Sequence, residues 1–354
     1  MLCNCGVQNL KIMMRMKEAG MLKWMGTAVL VVATATAVQA QTTTQAPATQ
    51  PSATPGSAQS AAPANPFPAP VAKNFTATSP TVGEVNAFLK AIWGYDDNRI
   101  WSVAAIQKTP APGIARVVVF VADKNNPGKS SQTAFYTTPD GKHAIADQVI
   151  DFGAKPFEAT RKVLEERANG PAEGAASKQL ELVEFADLQC PHCKDAQETM
   201  QNLARDIPEA HIVFENLPIE VHPYAFRAAA EGVCVRKAKG DAAFFTYAAS
   251  VFAHQADLTA EGVDATLAAA VTAAGDDPKD AAACAKTDLA IDDVHASMAL
   301  ASELGVDQTP LLAVNGHLLP VTSIPYETLK RIIAFQAAQD GVTVHVQPTL
   351  TNLK

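Results

Sequence analysis

Two cysteines flank a proline and a histidine in "EFADLQCPHCKDAQ", where an apolar run ends and a helical pattern begins. A strand that turns at once into a helix places Cys190 and Cys193 at positions i and i+3, on one helical face, with their sulfurs within reach of each other. Three chemistries use such a pair: a structural staple, a metal clamp and a redox centre. As a staple, a bridge between such close neighbours closes almost no loop and stabilises little. As a zinc clamp, the pair needs two further ligands. Cys234 and Cys284 are isolated, His192 lies inside the motif, and the remaining histidines have no metal spacing, so we assign no metal site.

Redox chemistry fits the residues best. Cys190 falls at a helix N-terminus, where unpaired N–H groups and the helix dipole favour an anion. In Cys-x-x-Cys motifs this lowers a cysteine pKa from about 8.5 to roughly 3.5–7.5, and the thiolate is the species that attacks disulfides. His192, when protonated, adds a stabilising charge. Pro191 lacks an N–H and has a fixed φ, which suits the first helical turn.

The 354-residue chain is long enough for two domains with sizeable cores. Its N-terminus carries Lys11, Arg15, Lys17 and Lys23 and runs into "WMGTAVLVVATATAV" and then "VQA", the layout of a secretory signal cut after Ala40. An uncleaved anchor is the alternative, and Met14, Met16 and Met21 are alternative starts. Removing residues 1–40 takes away four Lys/Arg and one Glu, so the formal charge moves from −8 to −11, with 24 basic against 35 acidic residues. That surface argues against nucleic acid or anionic lipid as a partner. Cys190, Cys193, Cys234 and Cys284 remain, and an even number in an exported chain suggests two disulfides.

Residues 41–72 hold seven prolines and no charge, and the stretch 41–74 reads as a disordered tether. Order begins at "SPTVGEVNAFLKAIWGY". There Thr81 and Glu84 make a capping box, and Val82, Val85, Leu89 and Ile92 share a helical face. The β-rich runs "WSVAAIQ", "IARVVVFVAD" and "SQTAFYTT" and a weaker "HAIADQVIDFG" follow, so residues 75–153 form a small α+β domain. The helix "PFEATRKVLEERA" extends this unit to about residue 170, and "NGPAEGAAS" reads as a flexible joint. From Lys178 to about residue 345 strand and helix alternate around an Ala-rich helical region at about 224–306. The expected fold class is therefore α/β, a central sheet with helices on both faces.

"LVEFADLQCPHC" resembles the active-site region of DsbA-like thiol:disulfide oxidoreductases, the exported branch of the thioredoxin fold, and Pro191-His192 is the dipeptide of their strongly oxidising members. Glu184, six residues before Cys190, matches the family's buried acid, thought to move protons; the alternative is an ordinary edge-strand acid. "QTPLLAVNG" matches the segment whose cis-proline lies against the cysteines, which makes Thr309 and Pro310 substrate-contacting residues; the alternative is a trans loop proline. The helical insertion falls where the family places one. Some relatives carry a second bridge, for which Cys234 and Cys284 are the expected pair, with two buried free thiols as the alternative. Thr309 departs from the valine usual in the oxidases and matches the two-domain isomerases, whose dimerising N-terminal domain is similar in layout to residues 75–170.

The resemblance implies a periplasmic or otherwise exported oxidoreductase with no dissociable cofactor. Cys190 is its nucleophile, Cys193 the resolving thiol, His192 the thiolate stabiliser and Glu184 the proton relay. Its partners are cysteine-containing exported proteins and a second protein that recycles the pair. An oxidase is favoured by Pro191-His192, and a homodimeric isomerase or reductase by Thr309 and the extra domain. The rival of another class is a binding module or chaperone whose cysteines stay bridged. His222 in "VHPYAF" precedes a helix and reads as structural.

Overall fold

The computed structural model describes residues 66–146 and 149–345, so the signal segment and residues 41–65 of the expected tether lie outside the described residues. The tether's end is a correction: Ala72–Asn74 form a 3-10 turn that leads into a bridge between Phe75 and Ile106. The described residues from Ala69 onward form one compact unit. Its first α-helix is α1, Val82–Trp93, opened by the expected capping box. The Glu84 amide donates to Thr81 Oγ1 at 3.2 Å and the Thr81 amide to Glu84 Oε2 at 2.7 Å. This satisfies two N–H groups that a helix start otherwise leaves unpaired. The buried face differs from the expected one in one position. Val82, the first helical residue, is 42% exposed, and Phe88 takes its place in the core beside Val85 and Leu89.

Against α1 packs an antiparallel meander of β1 (Arg99–Lys108), β2 (Ala115–Asp123), β3 (Asn126–Thr137), β4 (His143–Ile145) and β5 (Val149–Asp151), in that order across the sheet. Alternate residues of β2, Val117, Val119 and Val121, enter the core with Phe88, Phe135 and Ala144. This is the period-2 pattern that the valine run carries.

Helix α2 (Glu158–Arg167) leads to the second sheet, ordered β10-β9-β7-β8-β6. Its strands are β6 (Ala172–Gly174), β7 (Glu181–Ala186), β8 (His211–Asn216), β9 (Leu311–Val314) and β10 (His317–Leu319). β7 and β8 are parallel, and the other neighbours are antiparallel. One face is covered by α3 (Pro191–Asp206) and α9 (Tyr326–Gln339) through Met200, Leu203, Leu329 and Ile333. The other face is covered by α2 and α8 (Asp288–Glu303) through Leu164, Leu300 and Ala301. Between β8 and β9 lie α4 (Ala225–Lys239), α5 (Asp241–Ala253), α6 (Val263–Ala273), α7 (Pro278–Cys284) and then α8. Cys234 of α4 and Cys284 of α7 are bridged, with Cα atoms 6.0 Å apart.

The joint expected at residues 169–177 is a correction. It contains β6, the edge strand of the second sheet, which pairs Ala172 with Val213 and Gly174 with His211. The buried Glu215 carboxylate accepts the amides of Asn169 and Gly170 at 2.7 and 2.8 Å, and Asp241 accepts that of Ala172 at 3.0 Å. Gly170 serves close approach rather than flexibility, because a Cβ there would overlap the Phe214 carbonyl. The sheet-bearing domain thus starts before Lys178. The meander also rests on this domain: Tyr95 packs against the α3–α9 core, and Asp96 faces Arg331 at 3.8 Å.

Candidate active site

All six residues of β7 are buried, and it lies between β8 and β9 at the middle of its sheet. The chain leaves it at Ala186, turns through residues 187–190 and enters α3 with Cys190 as N-cap and Pro191 as the first helical residue. Proline there removes an N–H that would have no intrahelical partner. Cys193 lies one turn on and is 0% exposed, whereas Cys190 is 5% exposed at the surface end of the pair. Both are free thiols.

The segment before β9 comes back against this turn. The Thr309–Pro310 bond is cis, and Cys190 Sγ faces the Thr309 carbonyl oxygen at 3.8 Å. The Thr309 hydroxyl is buried beside both sulfurs, where it favours the charged form of each, and among the described residues it has no other hydrogen-bond partner.

The two thiols are pushed in opposite directions. Cys190 is lowered from 9.0 to about 5, first by the hydrogen bond from Cys193 and then by Thr309 and the backbone N–H groups of Cys193 and His192, against burial, which raises it. Cys193 is raised far above the usual thiol range, first by burial and second because it donates to Cys190. One sulfur is therefore a stable thiolate at neutral pH and the other its proton-bearing partner. The His192 imidazole is exposed, and its hydrogen bond to Cys190 comes from the backbone.

Glu184 is no edge-strand acid: it pairs with Phe214 on one side and Leu312 on the other. Burial pushes its carboxyl from 4.5 up to about 8, opposed by a hydrogen bond from Gln197 and assisted by the charge of Glu173. Gln197 Nε2 donates to Glu184 Oε1 at 3.3 Å and to the Cys193 carbonyl at 3.1 Å, so the acid is tied to the backbone of the resolving cysteine.

Sequence reading passed over three groups around the pair. Gln197 is one. Gln255 is another, donating to the carbonyls of Leu188 and Cys190 at 3.0 and 2.9 Å. The third is Asp187, which is buried, with an amide that donates to Cys193 Sγ at 3.3 Å and a carboxylate that meets His222. The contacts of Asp187 with His222 and of Gln255 with Leu188 and Cys190 span 35 residues or more and carry no local pattern, whereas the i, i+4 spacing of Cys193 and Gln197 is one the helix supplies. Among the described residues, no group of three or more His, Cys, Asp or Glu is placed to hold a metal ion.

Comparison with known proteins bears on the same segment. Residues 167–334 match the family model described as thioredoxin. They form a thioredoxin-like domain. A stretch of 95 residues is 34% identical to the Na(+)/H(+) antiporter NhaA 1 of Salinispora arenicola, covering 26% of this chain and 13% of the antiporter. The chain thus spans only a small part of that relative's length. Among solved structures, the domain is similar to a periplasmic thioredoxin-like protein from Salmonella enterica serovar Typhimurium, at 20% identity and a TM-score of 0.43, covering 51% of this chain and 97% of that one. It is also similar to the catalytic domain of Proteus mirabilis ScsC, at 22% identity and a TM-score of 0.43, covering 50% and 98%. The thiol-disulfide exchange protein alpha-DsbA2 of Wolbachia pipientis is similar at 21% and 0.43, covering 49% and 94%.

Proposed function

We propose that this chain is an exported thiol:disulfide oxidoreductase that exchanges the Cys190–Cys193 pair with cysteines of substrate proteins, in the oxidase direction. The observation that carries the reading is the split between the two thiols: Cys190 lowered to about 5 at the surface end of α3, and Cys193 raised and fully buried beneath it. In the oxidised protein a substrate thiolate attacks Cys190 Sγ, the Cys190–Cys193 bond breaks, and Cys193 leaves as a thiolate with the electron pair. A second substrate thiolate then attacks the substrate sulfur of the mixed disulfide, a substrate disulfide forms, and Cys190 leaves as a thiolate. A leaving thiolate that is stable at neutral pH favours the reduced enzyme and hence oxidation of the substrate. Glu184, protonated near neutral pH, supplies the proton that Cys193 takes up, and the Thr309-Pro310 backbone holds the substrate strand beside Cys190 Sγ.

A homodimeric isomerase or reductase is the second reading, favoured by the Thr309 hydroxyl beside both sulfurs. The deciding experiment measures the reduction potential of the pair and, with the same protein, the refolding of a fully reduced substrate against that of a scrambled one. A potential near or above about −120 mV with activity on the reduced substrate fits the oxidase. A potential near thioredoxin's, about −270 mV, would remove it.

A further inference from the structure

Asp187 stands directly after β7, and each of its polar atoms is engaged. Its carbonyl accepts the Cys190 amide at 3.0 Å, and its own amide donates to Cys193 Sγ at 3.3 Å. Its carboxylate accepts the Gln189 amide at 2.7 Å on Oδ1, and the Ile219 amide and His222 Nδ1, both at 2.8 Å, on Oδ2. The carboxylate side chain is 0% exposed and that of His222 21%. One residue therefore joins the nucleophile's backbone, the resolving sulfur and the segment after β8. A buried carboxylate with all its hydrogen bonds made is held in one geometry, and removing one donor strands the acceptor.

Given the exchange reading of the cysteine pair, we propose that Asp187 and His222 are positioning residues for the resolving step. His222 fixes the Asp187 carboxylate, which fixes the turn that aims the Asp187 amide at Cys193 Sγ. In a mixed disulfide, the Cys193 thiolate attacks Cys190 Sγ, a Cys193–Cys190 bond forms, and the substrate sulfur departs with the electron pair and takes up a proton from solvent. In reverse, Cys193 departs as the thiolate. In both directions negative charge sits on a sulfur with no exposure to water, and an aimed N–H is what favours it there. His222 reaches the sulfur only through Asp187.

The test uses the full chain, reduced, mixed with a small fluorescent peptide carrying an activated aryl disulfide, whose low-pKa leaving thiol drives exchange even onto an oxidising pair, and follows formation and decay of the Cys190 mixed disulfide by acid quench and mass spectrometry. His222→Leu removes the donor; His222→Asn keeps an N–H near the place of Nδ1; His222→Gln puts one near Nε2. We expect His222→Leu and His222→Gln to slow decay at least tenfold, with formation changed less than twofold, and His222→Asn to decay within about threefold of the parent. The reduction potential of His222→Leu should shift as well, which loss of packing alone would not produce. Should the leucine variant fail to fold, the asparagine–glutamine pair carries the same contrast. Decay at the parent rate in the leucine or glutamine variant, or asparagine as slow as glutamine, overturns the inference. A parent protein that never forms a mixed disulfide overturns the exchange reading instead, a result visible before any variant is compared.

Discussion

Cys190 and Thr309 are 119 residues apart in the chain, and the thiol of one faces the carbonyl of the other at 3.8 Å. This contact joins two distant segments of the thioredoxin-like domain, since β7 delivers Cys190 and β9 begins just after Pro310.

The thiolate is the first testable consequence. Absorbance near 240 nm, followed against pH in the reduced protein, should titrate near 5 for Cys190. His192→Ala should raise that value by an increment that shrinks with added salt, because the exposed imidazole acts through solvent. A Cys190 titration near 8.5 would sink the oxidase reading.

The potential should carry the same signature. Between pH 5 and the ordinary thiol range, reduction takes up one proton, on Cys193, rather than two. The potential should fall by about 30 mV per pH unit there and by about 60 mV below pH 5. The sign follows from the depressed Cys190 value. Its thiolate stabilises the reduced fold fully above the unfolded pKa near 9.0, and that contribution is lost as pH falls through about 5. A slope of 60 mV across the whole range would contradict a stable thiolate.

Glu184 gives the opposite sign. Its value is raised from 4.5 to about 8, so the folded protein binds the extra proton, and stability falls as pH rises from 4.5 through 8. Glu184→Gln removes the titration. Urea unfolding of both proteins at pH 5 and pH 8.5 should show the variant gaining on the parent by up to about 4 kcal/mol at the higher pH. An unchanged difference would mean that Glu184 is not a buried acid of high pKa.

The candidate site was legible in the sequence to the extent that its chemistry is local. Cys190, Pro191 and Cys193 occupy one helical turn, and strand, cap and helix follow from pattern and spacing. Thr309 and Pro310 were reached only through a resemblance, because nothing in their own neighbourhood states what they face. The partners of Asp187 and Gln255, His222 and the Cys190 carbonyl, are likewise distant in the chain, whereas Gln197 lies one helical turn after Cys193, a spacing that points it back at the cysteine. β6 escaped for another reason: three residues among Gly, Ala and Pro are too few for any periodicity, and the Glu215 carboxylate that anchors the segment lies 45 residues from Gly170.

The bridge between α4 and α7 closes a loop of 50 residues, so the chain-entropy estimate gives it about 4 kcal/mol of stability. Peptide mapping of the oxidised protein should recover the Cys234–Cys284 pair beside Cys190–Cys193. Replacing Cys234 and Cys284 together by alanine should lower the unfolding free energy by up to that amount and leave the Cys190 titration in place. Two free thiols at these positions would remove the claim without touching the catalytic one.

The last prediction concerns the meander domain, on which the choice between oxidase and isomerase turns. An isomerase must hold a partly unfolded substrate while attacking wrong disulfides, which is easier when two catalytic domains face each other across a dimer. The boundary for testing this follows from α2. Leu164 is 1% exposed within the core that contains Val183 and Phe185, so α2 belongs to the thioredoxin-like domain. Removing residues 41–170 would strip that face and forfeit about 1.5–3 kcal/mol for the leucine alone. Removing residues 41–153 keeps α2 and β6 and loses the contacts of Tyr95 and Asp96 with α9. We expect the full protein to be a homodimer by light scattering, and the 41–153 deletion to be a folded monomer. That monomer should retain oxidation of a reduced substrate and lose refolding of a scrambled one. The 41–170 deletion should melt lower than the 41–153 deletion. A monomeric full-length protein without isomerase activity would leave the oxidase alone.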